Sequence, residues 1–527
     1  LSIAALSIPA QEVGSSGSIT GSVLEAGTGR STPDAAVFVH AGTQSVQTQT
    51  GSNGHYEFRE VAPGLCRIAV YSRGRYASRT ITLVSGQHLG SIDFHLEAYG
   101  YIAGKVVDEN KEPLSGIGVF LVGREYQLGA LRYVFSGVAK TDDRGEYSLP
   151  DVEPGRGFLI LAQARSVSLP AISDEPSDPA RRKKVPASTW FGDSDSIDGA
   201  EVVTLSPGER REGVEIRMSR SPSYCVEGVL DAEGVPAALG FFFQEEQPTT
   251  GASGDRAMYL RPPYGRSGAD GRIRLCKLHP GVYRLTAFGE SPPLLGTVIV
   301  VVAKGDVRKF RVSAHGPAPI LGEVAWAGRP PDQPLPSKLR IGLQSRLDNN
   351  SGGRLEAESD VPGGFSFGGV LADEYSVRVR NLPPGVYIKD VTYGGSSVLH
   401  LPLRVGSVVA SSQVRILLAT DGGAIATRVA DKDGNVVPDC SIAIIPAESD
   451  SAATLADALV LGQTDQYGAY SSPSLAPGKY YVLATTAHVT LAPESIGKLS
   501  RALNHAQEID LGAGVHVQVS LSPVSID

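Results

Sequence analysis

The sequence predicts an all-β chain of five tandem β-sandwich domains set out as an elongated array. Three observations carry that expectation. The first is composition. Gly at 61 and Pro at 35, against only 2 Met and 2 Trp in 527 residues, suit a turn-rich chain rather than a helical bundle. The second is patterning: short runs of alternating apolar residues lie between Gly, Pro, Asn and Asp, as half-buried strands require. The third is repetition. One succession of strands and turns recurs five times at roughly 90–125 residues, too long for a solenoid and suited to beads on a string. At about 100–200 residues per domain, the length itself implies roughly three to five domains.

The second copy shows the succession most fully. Tyr101-Ile-Ala-Gly-Lys-Val-Val-Asp108 is an alternating strand, and Glu109 to Gly116 is a polar turn. Ile117-Gly-Val-Phe-Leu-Val122 is a second strand. A variable hairpin leads to Lys140-Thr-Asp-Asp-Arg-Gly-Glu-Tyr-Ser-Leu149, then Val152-Glu-Pro-Gly155, then an apolar strand from Phe158 to Ala162. The first copy repeats it with Gly21-Ser-Val23, Ala36-Val-Phe-Val39, Asn53-Gly-His-Tyr-Glu-Phe58 and Val61-Ala-Pro-Gly64. The third has Gly228-Val-Leu230, Gly240-Phe-Phe-Phe243, Asp270-Gly-Arg-Ile-Arg-Leu275 and Leu278-His-Pro-Gly-Val-Tyr283. The fifth has Ser441-Ile-Ala-Ile-Ile445, Thr464-Asp-Gln-Tyr-Gly-Ala-Tyr470 and Leu475-Ala-Pro-Gly-Lys-Tyr480. The fourth is degenerate: it keeps Gly322-Glu-Val324 and Gly363-Gly-Phe-Ser-Phe367, but Leu371-Ala-Asp-Glu-Tyr375 lacks the Pro-Gly.

Each part has a physical reason. Gly54, Gly145, Gly271 and Gly468 supply the positive φ of a tight turn. Pro then Gly fits a type II turn, and the Tyr that follows can bury its ring while its hydroxyl stays bonded. About seven short strands per unit are enough for a two-sheet sandwich. These signals place a tail or signal-peptide remnant at 1–16 and sandwiches at 17–97, 98–220, 221–314, 315–419 and 420–527. Short connectors make the units abut. In line they would form a rod of roughly 150–200 Å. The one helix expected lies near 492–506, where Pro493, Ile496, Leu499 and Leu503 have helical spacing.

The repeated pattern of Gly-x-Val, Asp-x-x-Gly, Thr-Asp-x-x-Gly-x-Tyr/Phe and Pro-Gly-x-Tyr resembles the carboxypeptidase regulatory-like domain. The resemblance implies an Ig/transthyretin-like β-sandwich of the carbohydrate-binding-like fold group. It also implies an exported protein of the kind found in soil bacteria such as acidobacteria, and a module that accompanies a catalytic domain, a receptor barrel or a surface array.

The chain opens Leu1-Ser-Ile-Ala-Ala-Leu-Ser-Ile-Pro-Ala10 before Gln11, which reads as the end of a secretory leader. Retained, the same apolar stretch could complete the edge strand of a neighbouring copy and build a fibre. The four Cys include no Cys-x-x-Cys. Cys225 and Cys276 lie on the first strand and the post-turn strand of one copy, so a disulfide is expected between them, with Cys66 and Cys440 as buried thiols. The net charge of -8 without a Lys/Arg block argues against nucleic acid. No stretch approaches the ~20 apolar residues of a spanning helix.

Chemistry is sparse. Single His residues such as His40, His55, His279 and His400 form no zinc motif, and neither a nucleophile elbow nor a phosphate loop occurs. Asp193-Ser-Asp-Ser-Ile-Asp-Gly199 has Ile197 where a calcium loop needs a ligand. No catalytic, cofactor or metal residues are therefore assigned. Two insertions, 167–200 and 244–268, exceed what a sandwich needs. Their aromatics Trp190, Phe191, Tyr259 and Tyr264 are candidates for stacking on glycan, although the plainer reading is that they tuck the loops down. The basic run Arg181-Arg-Lys-Lys184 reads as a solvated face. The expectation is a non-catalytic, secreted or surface-exposed bacterial protein with a structural or adhesive role. Carbohydrate binding is the alternative, and the expected partners are the chain itself or an extracellular polysaccharide or protein.

Overall fold

The computed structural model describes residues 15–526 apart from 128–129, 165–167, 170–171, 174, 177, 179–180, 247–257, 260–263, 332–334, 336, 346–353, 407–411 and 450. The chain is all-β, with tandem two-sheet sandwiches. In the first unit, Gly17–Glu25 pairs antiparallel with His55–Val61 and parallel with Phe94–Leu96. The facing sheet has the order Gln44–Gln49, Ala36–Ala41, Gly64–Ser72, Arg75–Leu83. We call it the hairpin sheet.

The plan recurs. In the later units the first strand is Gly100–Asp108, Tyr224–Ala232, Ala318–Trp326 or Ala424–Val429. Each pairs antiparallel with the strand after the turn and parallel with a late strand of its own unit. Joining the start of a unit to its end in one sheet closes each sandwich on itself. Alternation then fills five cores, within residues 19–96, 102–218, 226–314, 320–418 and 425–521.

The recurring residues fit this plan. A Cβ on Gly21 would lie 2.0 Å from the Ile92 carbonyl oxygen and 2.9 Å from the Tyr56 hydroxyl. Gly104 stands the same way to Val214 and Tyr147, so the Gly of Gly-x-Val leaves room for a carbonyl bonded by the buried Tyr. The Tyr283, Tyr375 and Tyr480 hydroxyls each donate to the carbonyl four residues upstream. The degenerate fourth copy thus keeps the Tyr bond without the Pro-Gly. Gly155 has φ +74° as a type II turn requires, but Gly64 and Gly478, at +125° and +155°, already open strands.

Two helices belong to the fifth unit. Helix α1 (Ala452–Ala458) starts at Ser451, whose hydroxyl accepts the Thr454 N–H. Helix α2 (Pro493–Ala502) has Pro in its first turn and buries Ile496, Leu499 and Ala502, inside the expected segment. Helix α1 was not anticipated, because its seven residues are too short for helical periodicity to show.

The tandem order is not a straight one, and here the structure corrects the in-line rod. The first unit touches the fifth. Arg79 bonds both oxygens of Asp439, at 3.0 and 2.6 Å. The Gln466 side-chain amide accepts the Thr82 N–H at 2.9 Å and donates to the Thr82 carbonyl at 2.6 Å. Thr82 lies on the edge strand of its sheet, so the amide satisfies an otherwise open edge. The long hairpin of the second unit, Gly118–Gln127 with Ala130–Lys140, reaches across the molecule. Arg124 pairs with Glu494 of the fifth unit, the Tyr126 N–H donates to the Leu491 carbonyl, and Arg132 pairs with Glu374 of the fourth. The second and third units exchange strands: Ser168–Leu169 joins the third unit's hairpin sheet, and Met258–Tyr259 joins the second's.

Candidate functional site

The polar residues of the motifs are committed to the fold. Asp142, Asp431 and Asp465 each accept two backbone N–H groups of their own turn. Thr50, Thr141 and Thr464 are buried, and each hydroxyl accepts the N–H of the residue just before an earlier strand of its unit, Ala35, Ile117 or Cys440. Ile197 is buried, and Asp193 accepts the Arg217 N–H. Among the described residues no three His, Cys, Asp or Glu side chains converge as metal ligands would.

One cluster brings together a hydroxyl, an imidazole and a carboxylate. Ser188 Oγ lies 3.1 Å from His279 Nε2 and donates to Glu245 at 2.5 Å. Glu245 is also 3.2 Å from the same Nε2, while Nδ1 meets the Pro280 carbonyl. In a hydrolase triad the carboxylate orients the imidazole from the nitrogen opposite the hydroxyl. Here both sit on one nitrogen, so the cluster does not activate Ser188. It is a buried polar knot between the second and third units. Burial alone would lower the His279 pKa, but Glu245 and the Pro280 carbonyl outweigh it and raise it.

The candidate aromatics fall in different places. Trp190 is fully buried, with Ile197, over Phe120, Val122 and Leu161, on the outer face of the second unit's hairpin sheet. It cannot stack on a sugar, because the insertion that carries it is the cover of that sheet. Phe191 is half-buried against the second core. Tyr259 lies in a described strand, but its side chain is outside the described residues. Tyr264 is 44% exposed. The Cys225 and Cys276 sulfurs are bonded at 2.03 Å, and Cys66 and Cys440 are buried thiols. The basic run is not wholly a solvated face. The Arg182 side chain is fully buried and bonds Asp306 at 2.6 and 2.9 Å, which fastens the 167–200 insertion to the third unit.

One further candidate site was missed by sequence reading. A cleft of about 1600 Å³ lies where the first, second and fifth units meet. One wall is the Arg75–Leu83 strand, presenting Tyr76, Ser78 and Thr80 beside Arg67. The opposite wall presents Arg428, Ser471, Gln518 and Ser520, and Lys498 of α2 with the Glu153–Arg156 turn closes one end. Arg67 donates to the Tyr76 hydroxyl at 2.9 Å. Arg67, Arg428 and Lys498 have no carboxylate partner among the described residues. At the closed end, Glu494 Oε2 and Arg156 Nε are buried without a hydrogen-bond partner. Only the meeting of distant units creates this site, so no local motif could have announced it.

A model of the carboxypeptidase regulatory-like domain matches residues 18–97. The match spans the first unit. The later copies repeat its strand order, Gly145, Gly271 and Gly468 repeat the positive φ of Gly54, and Tyr147 repeats the buried Tyr56, where the third and fourth units have Ile273 and Phe365. No curated protein matches the chain. Among solved structures, it is similar to the TIE protein of Bacillus anthracis at 9% identity, over 93% of this chain and 68% of that one, with a TM-score of 0.14. It is similar to BcpA, the major pilin subunit of Bacillus cereus, at 12% identity over 57% and 99% of the two chains, TM-score 0.16. A protein from Bacteroides uniformis described as carbohydrate-binding matches at 8% identity over 55% of this chain and 100% of that one, TM-score 0.15. Likenesses this remote carry no argument about function.

Proposed function

We propose that the chain is a non-catalytic extracellular adhesive protein, with sandwiches at 17–97, 98–220, 221–314, 315–419 and 420–527, that binds polysaccharide in the three-unit cleft. The cleft is the observation that carries this reading. It is an open channel with Tyr rings, amides, hydroxyls and unpaired cations on its walls. Saccharides present apolar C–H faces to rings and hydroxyls to such groups. A disulfide in the third unit supports an oxidising compartment, as at a cell surface. Among the described residues no helix is long and apolar enough to cross a membrane. Fibre building through the N-terminal strand has no comparable support, because residues 1–10 lie outside the described residues.

The test is affinity electrophoresis of the full chain in gels cast with xylan, laminarin, hydroxyethylcellulose or polygalacturonate. The cleft reading expects retardation in at least one gel, weakened about tenfold by the pair Arg428→Ala and Gln518→Ala, whose side chains do not fill a core. Retardation unchanged by that pair would refute it.

A further inference from the structure

The charges along the three-unit cleft are unevenly committed. Of the carboxylates that line it, Glu153 pairs with Arg156 at 3.3 Å, and Glu494 pairs with Arg124. Asp465 accepts two N–H groups of its own turn and the Thr82 hydroxyl at 2.7 Å. Among the cations, Arg75 is held by Glu25 at 3.7 Å. Arg67, Arg428 and Lys498 remain. All three are exposed and have no carboxylate partner among the described residues, and only Glu97 is left to balance them. The uncommitted charge is therefore positive, in a chain whose net charge is -8.

The three cations come from three parts of the fold. Arg67 stands on Gly64–Ser72, opposite Thr80 of the next strand. Arg428 stands on the central strand of the facing sheet, between Ala469 and Ser520, whose small side chains leave it exposed. Lys498 lies on the exposed side of α2. A cleft lined by one sign of charge concentrates ligands of the other. Its walls are sheet faces. Gly64–Ser72 and Ala424–Val429 are paired on both sides, and Gln466 caps the edge at Thr82. A ligand there meets side chains rather than open backbone. That disfavours the strand pairing by which extended peptides dock, and suits a polymer recognised through hydroxyls and charged groups.

We infer that the cleft takes an anionic polysaccharide, whose carboxylates or sulfate esters are met by Arg67, Arg428 and Lys498. The inference rests on the saccharide reading of the cleft and adds the class of sugar to it. Each guanidinium offers a planar fork of donors that matches a carboxylate or a sulfate, and Lys498 adds a point charge. The Ser78, Thr80, Ser471 and Ser520 hydroxyls and the Gln518 amide on the same walls are left for the sugar hydroxyls. The negative charge of the chain as a whole repels a polyanion from the rest of the surface, so binding is confined to the cleft.

The test compares gels that share a backbone and differ in charge, hydroxyethylcellulose and carboxymethylcellulose, with polygalacturonate and dextran sulfate to tell carboxylate from sulfate ester. The full chain should be retarded in at least one anionic gel about tenfold more than in hydroxyethylcellulose, and the effect should fade as salt is raised. The triple variant Arg67→Gln, Arg428→Gln and Lys498→Gln changes exposed side chains only. It should weaken that retardation about tenfold and leave the thermal midpoint unchanged. Retardation in hydroxyethylcellulose as strong as in any anionic gel overturns the inference and leaves a neutral saccharide in the cleft. Retardation in anionic gels that the triple variant does not change overturns it too, because the anion is then held elsewhere. So does equal retardation in a gel cast with poly-glutamate, because the occupant would then be an acidic polypeptide. Absence of retardation in every gel removes both the inference and the saccharide reading beneath it.

Discussion

Arg182 and Asp306 show how single residues hold the units together. Arg182 was read from sequence as part of a solvated basic run, and nothing in the sequence singled out Asp306. In the fold they form a buried pair, and Asp306 also accepts the Cys225 N–H at 2.9 Å. The hydrogen bonds from Arg182 hold the Asp306 carboxyl below the usual range. Removing one partner strands the other charge, so Arg182→Ala should destabilise the second–third unit contact by about 3 kcal/mol, read as a lowered urea midpoint. Two histidines set a pH dependence at unit contacts. His279 faces Glu245, Ser188 and the Pro280 carbonyl; His400 faces Asp457 of α1, with Asp390 nearby. The pKa of His400 is raised by its bond to Asp457, against a smaller lowering from burial, and that of His279 is raised as well. A raised histidine contributes fully below its unfolded value of about 6.5 and loses that contribution as pH rises through the folded value. Buried Asp373, pushed up to about 6, has the same sign at lower pH. Thermal midpoints should therefore fall between about pH 6 and pH 8, and Glu245→Gln should flatten the slope. A midpoint that climbs across that range would contradict the assignment.

Elements were legible where one local rule set them. Turn glycines at 54, 145, 271 and 468 all have positive φ, and α2 begins at its Pro. The second-unit insertion was legible only as surplus, because its roofing role depends on Trp190 meeting Phe120 and Leu161, residues distant in sequence. The exchanged strands, two residues at 168–169 and two at 258–259, are too short for any periodicity to reveal. The disulfide closes a loop of 51 residues, so chain entropy puts its contribution at roughly 4 kcal/mol. Cys276→Ala with Cys225→Ala should lower the third unit's unfolding midpoint while leaving the second's cores in place. Thiol titration of the denatured, unreduced wild type should give two groups, from Cys66 and Cys440. Four would show that the bridge does not form.

At the scale of the molecule, short connectors were correctly read as making neighbours abut, but they do not fix the direction of the chain. That depends on pairs such as Arg79–Asp439 and Thr82–Gln466, which join positions more than 350 residues apart and leave no local trace. The same pairs create the cleft, since it exists only while the first unit sits against the fifth. Small-angle scattering of the full chain tests this closure most directly. The closed arrangement predicts a maximum dimension of roughly 100 Å or less and a radius of gyration not far above the ~24 Å of a compact chain of this length. The variant Arg79→Ala with Gln466→Ala should increase both. A wild-type maximum dimension of roughly 150–200 Å would mean that the units lie in line, and would remove the cleft together with the function proposed for it.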